Sequence, residues 1–327
     1  MLLSVTDMRE REGIAVVGTL LVDNLYEISA YPAEGELTKI RGVSLACGGL
    51  VPNNGMGLKK IAPALPVFAV GKVGQDDAGK HALLVMQEAG VDVSAVKVSD
   101  TERTSFTDVM SVAGGQRTFF TYPGACATFG YEDIPWDSLT CEMLHLGYFL
   151  LLDKVDAGDG LAILKEAKAR GIKTSIDLVS ENSDRYAVVL PCLPYVDNLI
   201  INELEAGKLA GIEPTDENLD AIAKKLLDLG VRERVIIHQP SLGLCATREG
   251  VVRLPSCKLP RGYVVGKTGA GDAFCSGALV AISRGYEPME ILELAEAAAV
   301  ASLTAADATS GILEAEELLK NIRKFSR

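Results

Sequence analysis

The rhythm of the chain from Met143 onward limits its fold more than any other feature. Short apolar runs alternate with amphipathic ones. Leu144–Leu146 precedes a helical pattern over Gly160–Arg170, Lys173–Asp177 precedes one near Ser183–Leu190, and Asn198–Ile201 precedes Glu203–Ala210. A helix over Asp216–Leu229, a strand at Val235–Ile237 and two short strands near Leu244–Thr247 and Gly250–Leu254 continue the series. Two long alanine-rich helices, about Ala273–Arg284 and Met289–Ala301, and a short tail helix close it. Apolar runs without polar alternation are strands buried on both faces. Sustained strand–helix alternation therefore implies a mostly parallel sheet with helices on both sides.

The first half adds two different kinds of strand. Ile14–Val17, ending at Gly18, and Val67–Val70, ending at Gly71, read as buried strands, with helices expected over Asn53–Ile61 and Gly79–Ala89. Leu25–Ile28 and Leu37–Leu45 are partly alternating and are split by Pro32, Glu34 and Gly35. Ser105–Val112 and Arg117–Tyr122 flank a turn expected at Ala113-Gly114-Gly115-Gln116. Two amphipathic strand pairs can form one small sheet over a cleft. They are expected as lid segments at about 24–46 and 103–123 of a single domain spanning 1–327.

Composition excludes several partners. The net charge is −12, which argues against nucleic acid and anionic membrane. No run approaches the roughly 18 apolar residues of a membrane span, and Met1–Gly13 has no apolar segment of a secretory signal. The seven cysteines are widely spaced with no C-x-x-C pair, and the three histidines are scattered. They read as buried free thiols in a reducing cytoplasm, not as a disulfide framework or zinc site.

Chemistry concentrates between Gly262 and Leu279. The apolar run Tyr263–Val265 meets a glycine-rich turn, and a helix pattern starts at once. The first N–H groups of a helix lack internal partners, so those of Gly269, Ala270 and Gly271, with the positive end of the helix dipole, form an anion site. Asp272, inside that site, would repel a phosphate. It makes sense as a base that takes a proton from a hydroxyl about to attack phosphorus, while the donors stabilise the transferring group. That is a kinase constellation. A bare helix start with an acid in its first turn is the plainer alternative. Gly266-Lys267-Thr268 does not complete a Walker A loop, because Arg261 stands where its first glycine belongs.

Thr268-Gly269-Ala270-Gly271-Asp272-Ala273-Phe274 resembles the C-terminal motif of the PfkB/ribokinase family of carbohydrate kinases. Other stretches resemble its motifs in the same order. Asp23 follows the first strand, with Leu21 where relatives often carry a polar residue. Gly48-Gly49-Leu50-Val51-Pro52-Asn53 resembles G-G-x-x-x-N, and Gly71–Gly79 resembles G-x-V-G-x-D-x-x-G with Asp76 as a helix cap. Asn202-Glu203-Leu204-Glu205 resembles N-x-x-E. Each has an ordinary reading beside the functional one: a turn Asp, an Asn cap, acids in a first helical turn.

The resemblance implies a ribokinase-like three-layer α/β/α sandwich with a small β lid, and ATP-dependent phosphorylation of a free hexose or pentose. Asp23, Gly48, Gly49 and Asn53 would hold the sugar. Asn202, Gly243, Lys267 and Thr268 would contact nucleotide. Glu205 would hold Mg²⁺ through water, and Asp272 with Gly269, Ala270 and Gly271 would carry the chemistry. Two departures stand out. Gly266 and Lys267 replace the Asp-Thr that precedes the motif in relatives whose Asp belongs to a K⁺ site. The Lys267 ammonium is expected to stand in for K⁺ or lie along the phosphates, unless it is a solvated lysine. Pro240 replaces the first glycine of the nucleotide loop and removes an N–H. A nucleoside kinase, or a catalytically weak sugar-binding or regulatory protein, are the other readings; a base in the anion site argues against the last. An exposed apolar lid face would imply a homodimer through the lid.

Overall fold

Alternate side chains of a buried strand leave on opposite sides of the sheet, and here they feed two separate apolar layers. In β1 (Ile14–Val17), Ala15 and Val17 join one core cluster while Ile14 and Val16 join the other. The computed structural model describes residues 11–112 and 117–327. The chain continues through β2 (Leu21–Ile28), β3 (Ile40–Gly48), α1 (Leu50–Ile61), β4 (Val67–Val70), β5 (Lys72–Gly74), α2 (Asp77–Glu88), β6 (Lys97–Ser99), β7 (Ser105–Val112) and β8 (Arg117–Tyr122). Then come α3 (Gly124–Thr128), β9 (Met143–Phe149), α4 (Gly160–Ala169), β10 (Lys173–Leu178), β11 (Asn198–Asn202), α5 (Glu203–Ala210) and α6 (Leu219–Asp228). The last part holds β12 (Arg234–Gln239), β13 (Leu242–Ala246), β14 (Val251–Pro255), α7 (Ala270–Ser283), α8 (Pro288–Ser302) and α9 (Ala315–Ile322).

The main sheet has eight strands in the order β14-β13-β12-β11-β10-β9-β1-β4. Pairing is parallel from β4 to β12, and β13 alone runs the other way, pairing antiparallel with both β12 and β14. Buried side chains of α4, α5 and α6 cover one face, and those of α1, α2, α7, α8 and α9 cover the other. The expected three-layer α/β/α sandwich is the observed architecture. Between β1 and β9 the strand order reverses. In open α/β sheets the crevice beyond the carboxyl ends of the strands at such a point is where ligands bind.

A second sheet, β3-β2-β7-β8, joins the two sequence-distant strand pairs through parallel pairing of β2 with β7. Its edge strands carry exposed apolar side chains: Val43 is 70% exposed, Phe119 61% and Phe120 58%. The expected turn at 113–116 lies outside the described residues.

Three expectations change. The helix near Ser183–Leu190 is a 3₁₀ segment over Arg185–Tyr195, where Pro191 and Pro194 remove the N–H groups an α-helix would use. Helix α1 begins at Leu50, before Asn53, and takes Pro52 into its first turn, where a missing N–H costs nothing. Tyr263–Val265 forms no strand; Val265 is largely exposed. All seven cysteines are free thiols, and most are buried. Among the described residues, no helix is long and apolar enough to cross a membrane.

Candidate active site

The N-terminus of α7 reaches the switch point. Gly269 is its N-cap at φ 74°, the left-handed region that a residue with a Cβ enters at a cost. A Cβ there would lie 2.2 Å from the Ala308 Cβ, so space as well as dihedral demands glycine. The N–H groups of Gly269 and Gly271 make no hydrogen bond among the described residues, but that of Ala270 donates to the Lys267 carbonyl at 3.4 Å. The anion site is thus partly engaged, because the chain enters the helix through a tight i→i−3 turn.

Asp272 is buried and stands one helical step inside that turn. Asn53 Nδ2 donates to its Oδ2 at 2.8 Å, and the Tyr148 hydroxyl lies 2.9 Å and 3.0 Å from its two oxygens. Burial, and next the charge of Asp177, push its carboxyl up to about 7, against the opposing pull of the Asn53 and Tyr148 donors. Asp272 therefore has the proton affinity of a base that works near neutrality.

The residues expected to hold a sugar lie on β2, β3 and α1 and in the turn between the last two. Asp23 lies half-buried on β2 opposite Ala46 of β3, and burial pushes its carboxyl up to about 6. A Cβ on Gly48 would sit 2.3 Å from the Asp23 Oδ2, so only glycine lets that carboxylate lie against the backbone. Gly49 follows as the cap of α1 and Asn53 lies in its first turns. The structure thus brings Gly48 to Asp23, and Asn53 to Asp272.

A pocket of about 440 Å³ beside the turn is lined by Asn202, Gly243, Lys267, Ala270 and Gly271, with Pro240 on its wall. Leu242, Leu259, Phe274 and Val300 make it largely apolar. Lys267 is exposed and makes no ion pair among the described residues. Thr268 is exposed at the turn and does not line the pocket. Asn202 and Glu205 form a reciprocal cap on α5. Glu205 Oε1 accepts from Ser180 Oγ (2.9 Å) and Asn202 Nδ2 (2.8 Å), and Oε2 accepts the Asn202 N–H (3.0 Å). Burial pushes this carboxyl up to about 7. One lone-pair site remains on Oε2, enough for a single metal-bound water but not for chelation.

Sequence reasoning missed three residues. Tyr148 follows the expected strand Leu144–Leu146, and Asp177 ends the expected strand Lys173–Asp177; strand-end position was the available signal. Asp177 accepts the Tyr148 N–H at 2.6 Å and lies 3.4 Å from His145 Nε2 in a buried cluster that also holds Cys275. His238 stacks on Phe274 (4.8 Å between centroids) and lies beside Gly271; burial pushes its imidazole down to about 4, leaving it neutral at pH 7.

Residues 11–315 match the model of the pfkB family carbohydrate kinases. The chain is 27% identical over 317 residues to a ribokinase of Arabidopsis thaliana, covering 96% of this chain and 81% of that one. It is 27% identical over 269 residues to an adenosine kinase of Schizophyllum commune, covering 77% of each. The structure of Arabidopsis thaliana ribokinase complexed with ribose and ATP superposes with a TM-score of 0.82 at 24% identity, covering 97% of this chain and all of that one. That likeness is one of fold. With the family match spanning nearly the whole chain, the protein belongs to the pfkB family of carbohydrate kinases and is a sugar kinase.

Proposed function

We propose that the chain transfers the γ-phosphoryl group of ATP to a hydroxyl of a free hexose or pentose. The observation that carries this is Asp272, a buried carboxyl with its affinity for protons raised to about 7, inside a helix-N-terminal anion site and in contact with the acceptor-side Asn53. Asp23 and Asn53 hold and orient adjacent sugar hydroxyls against the Gly48-Gly49 backbone. Asp272 takes the proton of the attacking hydroxyl. The Gly269 and Gly271 N–H groups, with Ala270 once its weak bond to Lys267 opens, stabilise charge on the transferring group. Mg²⁺ would be held with the nucleotide through water on Glu205, where it would neutralise phosphate charge. Burial disfavours ionised Glu205, and a nearby dication reverses that. The small sheet acts as the lid that excludes water. Free thiols at all seven cysteines fit a cytoplasmic setting.

The test is ADP release from Mg-ATP across free sugars and nucleosides, with and without K⁺. The expected result is turnover with one free sugar, unchanged by K⁺, since the unpaired Lys267 ammonium supplies the fixed charge. A strict K⁺ requirement would remove that role from Lys267. Turnover confined to a nucleoside would establish the second reading, which the likeness to an adenosine kinase favours. A chain that binds a sugar by calorimetry and turns over none would be a binding protein. A phosphorylated sugar is disfavoured, because the Gly48–Asn53 loop has no cation; the exposed Arg103 and Arg117 of the lid segment are the groups that would speak for one.

The exposed apolar edge strands of the small sheet motivate a homodimer through that sheet. Phe119 and Phe120 are adjacent on β8 and point to opposite faces, so one faces outward. Sedimentation is expected to give the mass of two chains, and one chain for the double variant Phe119→Ser, Phe120→Ser. A single-chain mass for the unaltered protein would end the idea.

A further inference from the structure

A base poised for a sugar hydroxyl is equally able to act on water. With nucleotide bound and no acceptor, Asp272 could take a proton from water; the water oxygen would bond to the γ-phosphorus, the bond to the ADP oxygen would break, and ATP would be hydrolysed. A carboxylate abstracts a proton only through a lone pair that faces it. Here both oxygens of Asp272 already face a donor, which leaves Oδ1 a single lone-pair site. Asn53 Nδ2 and the Tyr148 hydroxyl both lie on Oδ2, and the same hydroxyl lies 2.9 Å from Oδ1.

Tyr148 is held in this place from behind. Its backbone is at φ 57° and that of Leu150 at φ 81°, both in the region that residues with a Cβ avoid. The Tyr148 N–H donates to Asp177 Oδ1 at 2.6 Å and the Leu150 N–H to Asp156 Oδ1 at 2.9 Å. Asp177 is backed in turn by His145, whose Nδ1 lies 3.0 Å from Ser175 Oγ. Strained backbone persists only where the surroundings over-determine it, and it gathers at functional sites.

We propose that Tyr148 is a positioning residue that caps the base until an acceptor arrives, giving up one Asp272 oxygen to the incoming hydroxyl and keeping the other. The inference rests on the kinase reading above. The phenol stays a donor throughout, because burial and the charges of Asp272 and Asp177 push its ionisation well above the ordinary value.

The experiment compares acceptor-independent ADP release with acceptor phosphorylation in the full chain and in Tyr148→Phe. The ratio of hydrolysis to transfer is expected to rise about tenfold, the size of one hydrogen bond to a charged group. The acid limb of the pH–rate profile should move to higher pH, because a donor that favours ionised Asp272 is gone. Replacing Tyr148 by 3,5-difluorotyrosine keeps the ring and strengthens the donor, so it should move both readouts the other way. A purely structural role would lower hydrolysis and transfer together. An unchanged ratio with an unmoved acid limb, in a chain that still phosphorylates its acceptor, overturns the cap alone. Absence of transfer to any acceptor in the unaltered chain overturns the kinase reading and the cap with it.

Discussion

Asp272→Asn is expected to lower kcat by roughly 10²–10⁴-fold, the usual range for loss of a general base, with acceptor binding by calorimetry nearly unchanged. The amide keeps the shape of the carboxylate and can still accept from Tyr148, but it cannot hold the proton. Retained turnover would show that another group is the base. The same substitution has a second, opposite effect on stability. Asp272 ionises at about 7 in the folded chain, against an ordinary value of 3.8. Between those values the folded state keeps a proton that the unfolded state has released, so this stabilisation is present at pH 4 and lost as pH rises through 7. An asparagine has no such dependence. Relative to the parent, the variant should gain stability at pH 8, on the order of a few kcal/mol, with the gain fading near pH 4; thermal melts at the two pH values read it directly. For the parent enzyme, kcat/KM should fall as pH drops through about 7, as the base takes up its proton.

Gly269→Ala carries the next largest expected effect, and it acts on the anion site instead of the base. The added Cβ would meet the Ala308 Cβ at 2.2 Å and its Cα at 2.6 Å, at a backbone φ of 74°. Neither contact is the far end of a flexible side chain, so the turn or the loop at Ala308 must shift. Left-handed strain and overpacking each cost about 1–3 kcal/mol. Loss of one well-placed donor to a transferring group lowers rate by about 10²–10³-fold. The expected outcome is a chain that folds with a lowered Tm and has lost most of kcat for every acceptor alike. A variant with full activity would remove the backbone of this turn from the chemistry.

Much of the fold was legible because its signals are local. Apolar runs without alternation marked β1, β4 and β9–β12 as strands buried on both faces, and α5 fell within its expected limits, Glu203–Ala210. The misreadings were local as well. Pro191 and Pro194 turned an apparent helix into 3₁₀, and Pro52 was absorbed into α1. The candidate site was legible where a glycine-rich turn opens a helix, since the orphan N–H groups follow from helix geometry alone.

The sequence by itself determined the class of fold, because the hydrophobic period is set by residues within a few positions of one another and permits only helices packed on a parallel sheet. Its motif order also determined the family. Only the tertiary structure decided what surrounds the base. Asn53 and Asp272 are 219 positions apart, and Tyr148 stands 124 from Asp272. They meet because strand order reverses between β1 and β9, and that reversal is a property of the whole sheet. The raised proton affinity of Asp272 belongs to the same level. It comes from burial and from the charge of Asp177 on a neighbouring strand, and no local pattern encodes a desolvation.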